Sequence, residues 1–419
     1  MRVWLRTFGC RANQYDTEAV REMVERGGHA IVADASEADV AVFNSCVVTS
    51  DAVADLRQAI RRAVRENPRL ENVVMGCASA VAEGEALGAL PNVRHVIPGA
   101  DLDAVARALG LGAPVEPVRT RAQTGTRALL RVQDGCDEHC TFCATTVARG
   151  ANRSRPIAAL IDEAASLAQR HPEIVITGIH IGTYGRDTGS TLGELMTQLV
   201  QSVPDVRFRL TSVEATEVDE RLLEIMQSEP RRLAPQLHAP LQSGSNAVLR
   251  RMGRHWYTAE SYRSAVDWMA ERLPVFGLGA DLITGFPGET DADHRATMAL
   301  VRLLPFSYLH VFPYSERPGT AATRLGETVA AQVSKRRAEE LRALAAEQTA
   351  GYLARRVGQI ADVVVVGSGS KRRGLTEDYL EVDLIGEHLP RGARVDVVLE
   401  AREGRLFGAA AADASLGPW

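Results

Sequence analysis

The sequence predicts a three-part α/β protein with a parallel-sheet α/β domain at the N-terminus, an open barrel of strand–helix repeats, and a small antiparallel β-barrel at the C-terminus. Short apolar strands alternate with helical stretches before residue 115 and again between residues 125 and 350, which predicts the first two parts. After residue 355 the pattern changes to apolar runs separated by glycine-containing turns, which predicts the third. We therefore expect domains at residues 1–115, 125–350 and 355–416.

The composition restricts the class of protein further. With 419 residues, of which 45% are hydrophobic and 24% charged, the chain can form two or three domains without disulfides. A net charge of −5 argues against a strongly basic nucleic-acid coat but leaves room for a local basic patch. Apolar runs stay well short of the roughly 20 residues that span a bilayer, and the N-terminus lacks the apolar core of a signal peptide. We expect a cytoplasmic protein without a membrane partner.

The N-terminal part alternates strands and helices. Residues 3–8, 40–44 and 72–76 read as strands, with helical stretches at 17–26 and 52–66 between them. This order predicts a parallel sheet whose strands all end at one edge. A cysteine follows each strand, namely Cys10, Cys46 and Cys77. We expect the three thiols to converge there, where an iron–sulfur or other soft-metal site explains them better than three inert apolar residues.

The other three cysteines lie together as Cys136-x3-Cys140-x2-Cys143, after a predicted strand at 129–132. Three thiolates are one fewer than a closed tetrahedral zinc site or a fully ligated [4Fe–4S] cluster needs, so the fourth position stays open for reaction. A zinc site completed by His139, or a thiol redox site, is also compatible with this spacing.

Five more strands follow, which makes six strand–helix repeats, fewer than the eight of a full (β/α)8 barrel. They are predicted at residues 174–177, 206–210, 236–239, 278–283 and 308–312, with helical stretches at 157–169, 192–200, 259–272 and 291–303. Polar or glycine-rich loops follow the strands, and in barrels of this type such loops form the functional site. The cysteine triplet lies in the first of these loops and therefore opens onto the same mouth.

An open barrel with C-x3-C-x2-C after its first strand resembles the radical S-adenosylmethionine (SAM) superfamily, and Phe142 matches the aromatic residue that such proteins place against adenine. The three upstream cysteines narrow the resemblance to the methylthiotransferases. Segments 7–18, 44–49, 133–137, 241–245, 285–290 and 312–320 look most like the branch acting on N6-threonylcarbamoyladenosine in tRNA. This resemblance covers essentially the whole chain. It implies an open (β/α)6 radical-SAM partial barrel.

The resemblance implies an enzyme that inserts a methylthio group at C2 of N6-threonylcarbamoyladenosine at position 37, next to the anticodon. It implies two [4Fe–4S] clusters and S-adenosyl-L-methionine as cofactors. Cys136, Cys140 and Cys143 would bind the cluster whose open iron chelates SAM. A one-electron donor such as flavodoxin or ferredoxin then drives cleavage to methionine and a 5′-deoxyadenosyl radical. The N-terminal cysteines would hold the cluster that donates or carries the sulfur.

The loops also supply candidate cofactor and RNA contacts. By the resemblance, Gly178 leaves room for the methionine part of SAM, while Glu214, Gln242 and Ser243 hydrogen-bond ribose and amino groups. A helical stretch at 330–348 links the barrel to a tail that resembles the RNA-binding TRAM domain. The tRNA anticodon loop is the expected partner, with RNA contacts at Arg149, Arg153, Arg155, Lys371 and Arg372.

Three alternatives stay open. The same chemistry would serve isopentenyladenosine in tRNA or an aspartate of a ribosomal protein. Residues 144–147 depart from the family's usual apolar stretch beside the cluster, and a smaller wall there accepts a different base. From another class, a non-catalytic metal-binding protein that binds RNA would need a fourth ligand for each site, for which His139 and the distant His180 and His238 are the candidates.

Overall fold

A computed structural model describes residues 1–47, 50–81, 83–112, 120–317, 319–367, 372–385, 389–402 and 405–410. The N-terminal part is a parallel sheet of five strands in the order β2-β1-β3-β4-β5. The strand order reverses at β1 and β3, which is where ligands bind in open α/β sheets. The elements are β1 (Arg2–Thr7), α1 (Arg11–Arg26), β2 (Ala30–Val32), β3 (Val40–Ser45), α2 (Ser50–Glu66), β4 (Glu71–Gly76), α3 (Glu83–Gly88), β5 (Val93–Pro98) and α4 (Leu102–Ala108).

Helix α1 begins six residues before the predicted start at residue 17. Its first turns are polar in sequence, yet Ala12, Asn13, Tyr15 and Asp16 are buried. The hydroxyl of Tyr15 donates to Glu163 on the barrel at 2.9 Å, so contacts between two parts of the chain bury this polar segment. Strands β2 and β5 were not predicted because they are edge strands and most of their residues are partly or fully exposed.

The central part contains the six predicted parallel strands, in two sheets of order β10-β9-β6 and β11-β12-β13. Parallel bridges between Phe208 and Leu233 and between Ser212 and His238 connect them into one open barrel. The strands are β6 (Ala128–Arg131), β9 (Glu173–Thr177), β10 (Arg207–Leu210), β11 (Gln236–His238), β12 (Gly277–Thr284) and β13 (Tyr308–Pro313). The helices are α6 (Ile157–Ala168), α7 (Leu192–Ser202), α8 (Glu220–Ser228), α9 (Asn246–Arg251), α10 (Ala259–Ala270) and α11 (Asp291–Leu303).

A small insertion follows the first barrel strand and carries the cysteine triplet. It contains β7 (Gln133–Asp134), α5 (Thr145–Arg149) and β8 (Arg153–Ser154), with β7 and β8 paired antiparallel. One large apolar core fills the barrel and extends beneath its helices, and two separate cores lie on the two faces of the N-terminal sheet.

The C-terminal part is the closed five-stranded barrel that the sequence predicts, with one correction. Its order is β14-β15-β16-β18-β17, and the β16–β18 pair is parallel, so the barrel is not antiparallel throughout. The linking helix also runs to residue 356 rather than 348. The elements are α12 (Ala331–Arg356), β14 (Ile360–Val365), β15 (Arg373–Thr376), β16 (Glu381–Ile385), β17 (Arg394–Arg402) and β18 (Arg405–Ala410).

Two fully buried arginines of β10 join the central and C-terminal barrels. The carboxylate of Glu173 accepts from Nε of Arg207 at 2.6 Å and from Nε of Arg209 at 2.9 Å. Arg207 donates to the backbone oxygen of Asp362 at 2.6 Å, and Arg209 donates to that of Thr376 at 2.8 Å. Buried charge therefore fixes the C-terminal barrel against the central one. Within the described ranges, no helix combines the length and the apolarity that a bilayer crossing requires.

Candidate functional site

The three N-terminal cysteines converge at one edge of the first sheet, as predicted. Cys10 caps α1, and the side-chain oxygen of Asn13 lies 3.8 Å from its Sγ and 3.9 Å from Sγ of Cys77. A Cβ on Gly9, whose φ is +105°, would lie 2.7 Å from Sγ of Cys46, so glycine permits this close approach. The convergence is confirmed, while the binding of a cluster by these thiols stays a prediction.

The second cysteine set lies in the loop between β7 and α5. Cys140 is close enough to Cys136 and Cys143 for their charges to affect its pKa. The backbone N–H of Thr145 donates to Sγ of Cys143 at 3.3 Å, at the start of α5. Gly135 opens the loop with φ +72°, and a Cβ there would lie 1.9 Å from the backbone oxygen of Ala151. The loop can therefore fold back on itself only with glycine at this position.

An arginine donates to one sulfur of each set. Nε of Arg149 lies 3.4 Å from Sγ of Cys77, and Nη1 of Arg254 lies 3.4 Å from Sγ of Cys140. Burial raises the pKa of Cys77 to about 11 and that of Cys140 to about 12, although the arginine charges oppose the shift. As free thiols both are therefore protonated at neutral pH. A bound metal centre would deprotonate them, and the arginines would then offset its negative charge.

His180 contacts the second set and two carboxylates. Its Nδ1 lies 3.7 Å from Sγ of Cys136, and its Nε2 lies 3.0 Å from a carboxylate oxygen of Glu217. Burial lowers its pKa, but hydrogen bonds to Cys136 and Glu217 and the charges of Glu217 and Glu214 outweigh burial and raise the pKa to about 10. Of the other two candidate fourth ligands, His139 is exposed and His238 lies at the end of β11.

The spacing of the sulfur atoms fits clusters better than single ions. Around one zinc ion with bonds of about 2.3 Å, tetrahedral sulfur ligands lie about 3.8 Å apart. Among the described residues, the groups of three ligand atoms within 4.8 Å of one another are two histidine–carboxylate triads, and neither cysteine set qualifies. A [4Fe–4S] cluster spreads its thiolates further apart because each binds a different iron. All six cysteines are free of disulfides, so each set offers three thiols as ligands.

Glu214 lies beside the second set and is already engaged by the protein. Its carboxylate accepts hydrogen bonds from Arg254 and from the indole N–H of Trp256. Burial raises the pKa of Glu214, and the charge of Arg254 opposes the shift. Nε of Arg254 also donates to the hydroxyl of Tyr257 at 2.9 Å, which fixes the guanidinium. The carboxylate retains lone pairs, so the predicted contact with the cofactor remains possible in this geometry.

Phe142 and Gly178 take different places around the mouth of the barrel. The ring of Phe142 packs edge-on against Phe286, with their centroids 6.3 Å apart. A Cβ on Gly178 would lie 2.7 Å from the backbone oxygen of Gln133. Packing within the protein therefore already requires glycine at 178, which gives a reason for this residue independent of any ligand.

Gln242 and Ser243 follow β11 and face differently. Gln242 has φ +62°, its backbone N–H donates to the carbonyl oxygen of Asp281 at 2.8 Å, and its side chain is partly exposed. The buried hydroxyl of Ser243 lies 3.3 Å from that of Thr297 on α11 and accepts from the backbone N–H of Ser245 at 3.2 Å. Ser243 therefore holds its loop against α11, and Gln242 is the better candidate of the two for a cofactor contact.

Two of the arginines predicted to bind RNA, Arg149 and Arg155, are held in ion pairs within the protein. Buried Arg149 donates to the carboxylate of Asp16 at 2.7 Å and to the side-chain oxygen of Asn13 at 2.6 Å. Arg155 is mostly buried and donates to Glu163 at 2.6 Å. A phosphate would reach either guanidinium only by breaking these pairs.

The remaining residues predicted to bind RNA are Arg153, Arg372 and Lys371. Arg153 is exposed, lies 3.9 Å from the carboxylate of Asp134 and donates to the backbone oxygen of Arg149 at 3.1 Å, which leaves further N–H groups of its guanidinium for a phosphate. Arg372 lies just before β15 and is partly buried. Lys371 lies outside the described residues.

A cavity of about 740 Å³ lies where the three parts of the chain meet. The C-terminal barrel contributes Tyr379, and the N-terminal part contributes Phe8, Gly9, Cys10, Arg11, Ala12, Cys46, Ala52 and Asp55. The central barrel contributes Thr177, Gly178, Thr211, Ser212, Gln236, His238, Asp281, Tyr308, His310 and Phe312. Its volume falls in the range of small-molecule sites and is enough for a modified nucleoside.

Sequence reasoning missed several residues of the site. Asn13 and Asp16 follow Cys10 at intervals of three, which places all three on one face of α1, and this spacing was the available signal. Arg254 follows α9 in a loop without a recognisable motif. Only the fold brings it to Cys140.

Comparisons with known proteins agree with this geometry. A family model for the Radical SAM superfamily matches residues 130–301, and the model for Uncharacterized protein family UPF0004 matches residues 2–98. The chain is 33% identical to threonylcarbamoyladenosine tRNA methylthiotransferase MtaB of Thermotoga maritima, covering 96% of this chain and 95% of the relative. It is 30% identical to tRNA-2-methylthio-N(6)-dimethylallyladenosine synthase of Chloroherpeton thalassium, covering 88% and 86%.

Among solved structures, the radical SAM methyltransferase TsrM from Kitasatospora setae superposes with a TM-score of 0.58 at 16% identity, covering 77% of this chain and 76% of that one. This likeness concerns the fold alone.

A parallel partial barrel with an open three-cysteine site at its mouth defines a radical SAM enzyme, which uses S-adenosylmethionine and a [4Fe–4S] cluster. Within this class, the chain belongs to the methylthiotransferase family. The identity of 33% extends over nearly the whole chain, including the N-terminal cysteine domain and the C-terminal barrel.

Proposed function

We propose that this enzyme converts N6-threonylcarbamoyladenosine at position 37 of tRNA into its 2-methylthio derivative. The observation that carries the proposal is the proximity of two cysteine sets. Helix α5 begins two residues after Cys143, and its residues Ala144 and Ala148 pack with Cys77 in one apolar cluster. Cys10 and Cys46 in turn line the cavity at the barrel mouth. A substrate base in that cavity would contact the N-terminal set directly, and that set packs through Cys77 against the helix that follows the other set.

We assign a [4Fe–4S] cluster to each cysteine set. The first cluster is assigned to Cys136, Cys140 and Cys143, and with SAM it would supply a radical that removes hydrogen from C2 of adenine. The second cluster is assigned to Cys10, Cys46 and Cys77, and it would supply the sulfur that a further SAM methylates. This chemistry suits a C–H bond that no side-chain base can deprotonate. In the chain itself, Arg254 and Arg149 offset cluster charge, and Phe142, Gly178, Glu214 and Gln242 contact SAM.

The partners follow from the same proposal. The anticodon loop of tRNA presents an unpaired base that can be splayed into the cavity without opening a helix. Arg153 and the region of Arg372 and Lys371 would contact its phosphates. A one-electron donor such as flavodoxin or ferredoxin would reduce the first cluster. We assign the second cluster to residues 1–115 and RNA binding to residues 355–416. Residues 125–350 would hold SAM and the first cluster.

The choice of threonylcarbamoyladenosine rests on the relatives named above and on the lining of the cavity. The relative whose name contains threonylcarbamoyladenosine is more similar over more of its length than the relative whose name contains dimethylallyladenosine. The cavity lining carries two histidines, two aspartates, an arginine and a glutamine, which suits a polar substituent on the base better than a hydrocarbon one.

The test is mass spectrometry of nucleosides from tRNA treated with the reconstituted enzyme, SAM and a reductant. We expect 2-methylthio-N6-threonylcarbamoyladenosine from tRNA that carries the precursor. Nucleosides from cells with and without the gene provide the matched comparison, with the precursor accumulating when the gene is absent. If only the isopentenyl product forms, the substrate is isopentenyladenosine and not threonylcarbamoyladenosine. Absence of any methylthio nucleoside would contradict a role in tRNA modification.

A further inference from the structure

The cavity has a polar wall that cluster chemistry does not use. It consists of three neighbouring strands, with His238 at the end of β11, Asp281 within β12, and His310 within β13. Asp281 and His310 are register partners, and all three side chains line the cavity opposite Cys10 and Cys46. These residues lie on rigid strands rather than on loops, so their geometry is fixed by the sheet.

Hydrogen bonds order the protons along this wall. The amide Nε2 of Gln236 donates to the hydroxyl of Tyr308 at 3.1 Å, and that hydroxyl lies 3.1 Å from Nδ1 of His238. The hydroxyl therefore donates its own hydrogen to Nδ1. Nε2 of His238 then carries the remaining hydrogen and donates to Oδ1 of Asp281 at 3.1 Å. The chain of bonds thus ends on one oxygen of the aspartate.

His310 binds the same oxygen and leaves two groups for a ligand. Its Nδ1 donates to Oδ1 of Asp281 at 3.2 Å, which leaves Nε2 as its other polar atom. The His310 side chain is 54% exposed. Burial would raise the pKa of Asp281, but the hydrogen bonds from His238 and His310 outweigh it and hold the pKa below the ordinary value. Asp281 therefore presents an ionised carboxylate whose Oδ2 can accept a further hydrogen bond.

A cationic group completes the wall from the opposite side. Arg11 lines the same cavity and donates to the hydroxyl of Tyr379 at 2.8 Å, which fixes the guanidinium near the N-terminal cysteines. The cavity therefore offers acceptors at Oδ2 of Asp281 and Nε2 of His310, and a donor at Arg11. This combination matches a ligand that carries both a carboxylate and a hydroxyl or N–H group.

We propose that this wall binds an amino-acid-derived substituent on N6 of the target adenine, with Arg11 on its carboxylate, Asp281 accepting from its hydroxyl and His310 accepting from an N–H group. The inference rests on the proposed function and identifies the residues that select the substrate. A hydrocarbon substituent would desolvate Oδ2 of Asp281 without offering it a hydrogen bond, and sites built to form hydrogen bonds strongly reject analogues that lack them.

The test is steady-state kinetics on three tRNAs that carry threonylcarbamoyl-, glycylcarbamoyl- or isopentenyl-adenosine. For the threonyl substrate, Asp281→Asn and His310→Gln should each lower kcat/KM about 10- to 100-fold, mainly through KM, as expected for a lost hydrogen bond to a charged group. Because the glycyl substituent lacks the hydroxyl, Asp281→Asn should affect it several-fold less. Cleavage of SAM without tRNA and the iron content should not change.

Two exposed residues outside the cavity provide matched controls. Asp267→Asn on α10 and His95→Gln on β5 make the same chemical changes and should leave kcat/KM as in the wild type. Two results would overturn this inference and leave the proposed function standing. One is an equal loss of kcat/KM on all three tRNAs. The other is wild-type kinetics of the Asp281 and His310 variants on the threonyl substrate. A wild-type enzyme that modifies only the isopentenyl substrate would overturn the proposed function, and the inference with it.

Discussion

At the scale of single residues, the two cysteine sets have separable roles, which gives the first prediction. Cys140→Ala removes a ligand of the cluster that binds SAM, so we expect loss of 5′-deoxyadenosine formation. Cys46→Ala leaves that set intact, so we expect SAM cleavage to continue without methylthiolation. Liquid chromatography of 5′-deoxyadenosine together with nucleoside mass spectrometry measures both. A methylthio product from the Cys46 variant would contradict the assignment of the second cluster.

Arg149 carries the second prediction because it connects a cysteine to a buried carboxylate. Arg149→Met would leave Asp16 with Arg131 as its remaining salt-bridge partner and remove the donor to Cys77. Breaking such a buried pair costs about 3–5 kcal/mol. We expect a lower unfolding temperature and a lower iron content.

The double variant Arg149→Met with Asp16→Asn separates charge from packing. Since it removes the buried carboxylate charge as well, it should recover part of the unfolding temperature while the iron content stays low. If the single variant unfolds like the wild type and binds the same iron, Arg149 supports neither the interface nor the cysteines.

At the scale of elements, the loop that holds Cys136, Cys140 and Cys143 depends on Gly135, which gives the third prediction. Gly135→Ala forces a Cβ to within 1.9 Å of the backbone oxygen of Ala151 at φ +72°. Gly110 has a similar φ of +66°, but a Cβ there meets nothing within 4 Å. We expect Gly110→Ala to cost about 1–2 kcal/mol, the price of a left-handed residue, and Gly135→Ala to cost more. Thermal unfolding with iron analysis compares the two variants. Equal losses of stability would show that the loop shifts to accommodate the Cβ of residue 135 at no extra cost.

Elements defined by local pattern could be predicted, and those defined by contacts between parts of the chain could not. The six barrel strands follow apolar runs, and the convergence of Cys10, Cys46 and Cys77 follows from strand order alone. The early start of α1 and the burial of Arg149 arise because the N-terminal part packs on the barrel, which no local pattern records. The same limit explains why Arg149 was predicted to bind RNA although it lies in an ion pair.

At the scale of the whole molecule, the cavity exists because three parts of the chain meet. Cys10 and Cys46 lie on one side, Asp281 and His310 on another, and Tyr379 comes from the C-terminal barrel. The C-terminal barrel is therefore not only a candidate RNA-binding module, because it also closes one wall of the site. Any change that shifts this barrel should alter the cavity without touching either cysteine set.

The last prediction concerns Glu173, whose buried carboxylate connects the two barrels through Arg207 and Arg209. Burial raises its pKa, but the two arginines outweigh burial and hold the pKa well below the ordinary value. Its contribution to stability is therefore complete above about pH 4.5, where the unfolded carboxyl is ionised, and decreases as the pH falls toward the folded pKa. Glu173→Gln removes the carboxylate that Arg207 and Arg209 share, although Arg207 keeps its salt bridge with Asp362, and should cost about 3–5 kcal/mol at pH 7.

The pH dependence distinguishes this ion pair from a packing effect. The difference in unfolding temperature between wild type and Glu173→Gln should shrink below about pH 4.5, because only the wild type gains a proton on unfolding. Glu66→Gln, which removes an exposed pair with Arg62, serves as the control and should cost under about 1 kcal/mol. Unfolding followed by circular dichroism between pH 7 and pH 4 measures all three proteins. A difference that stays constant with pH would mean that Glu173 acts through its shape, and that its charge does not hold the C-terminal barrel in place.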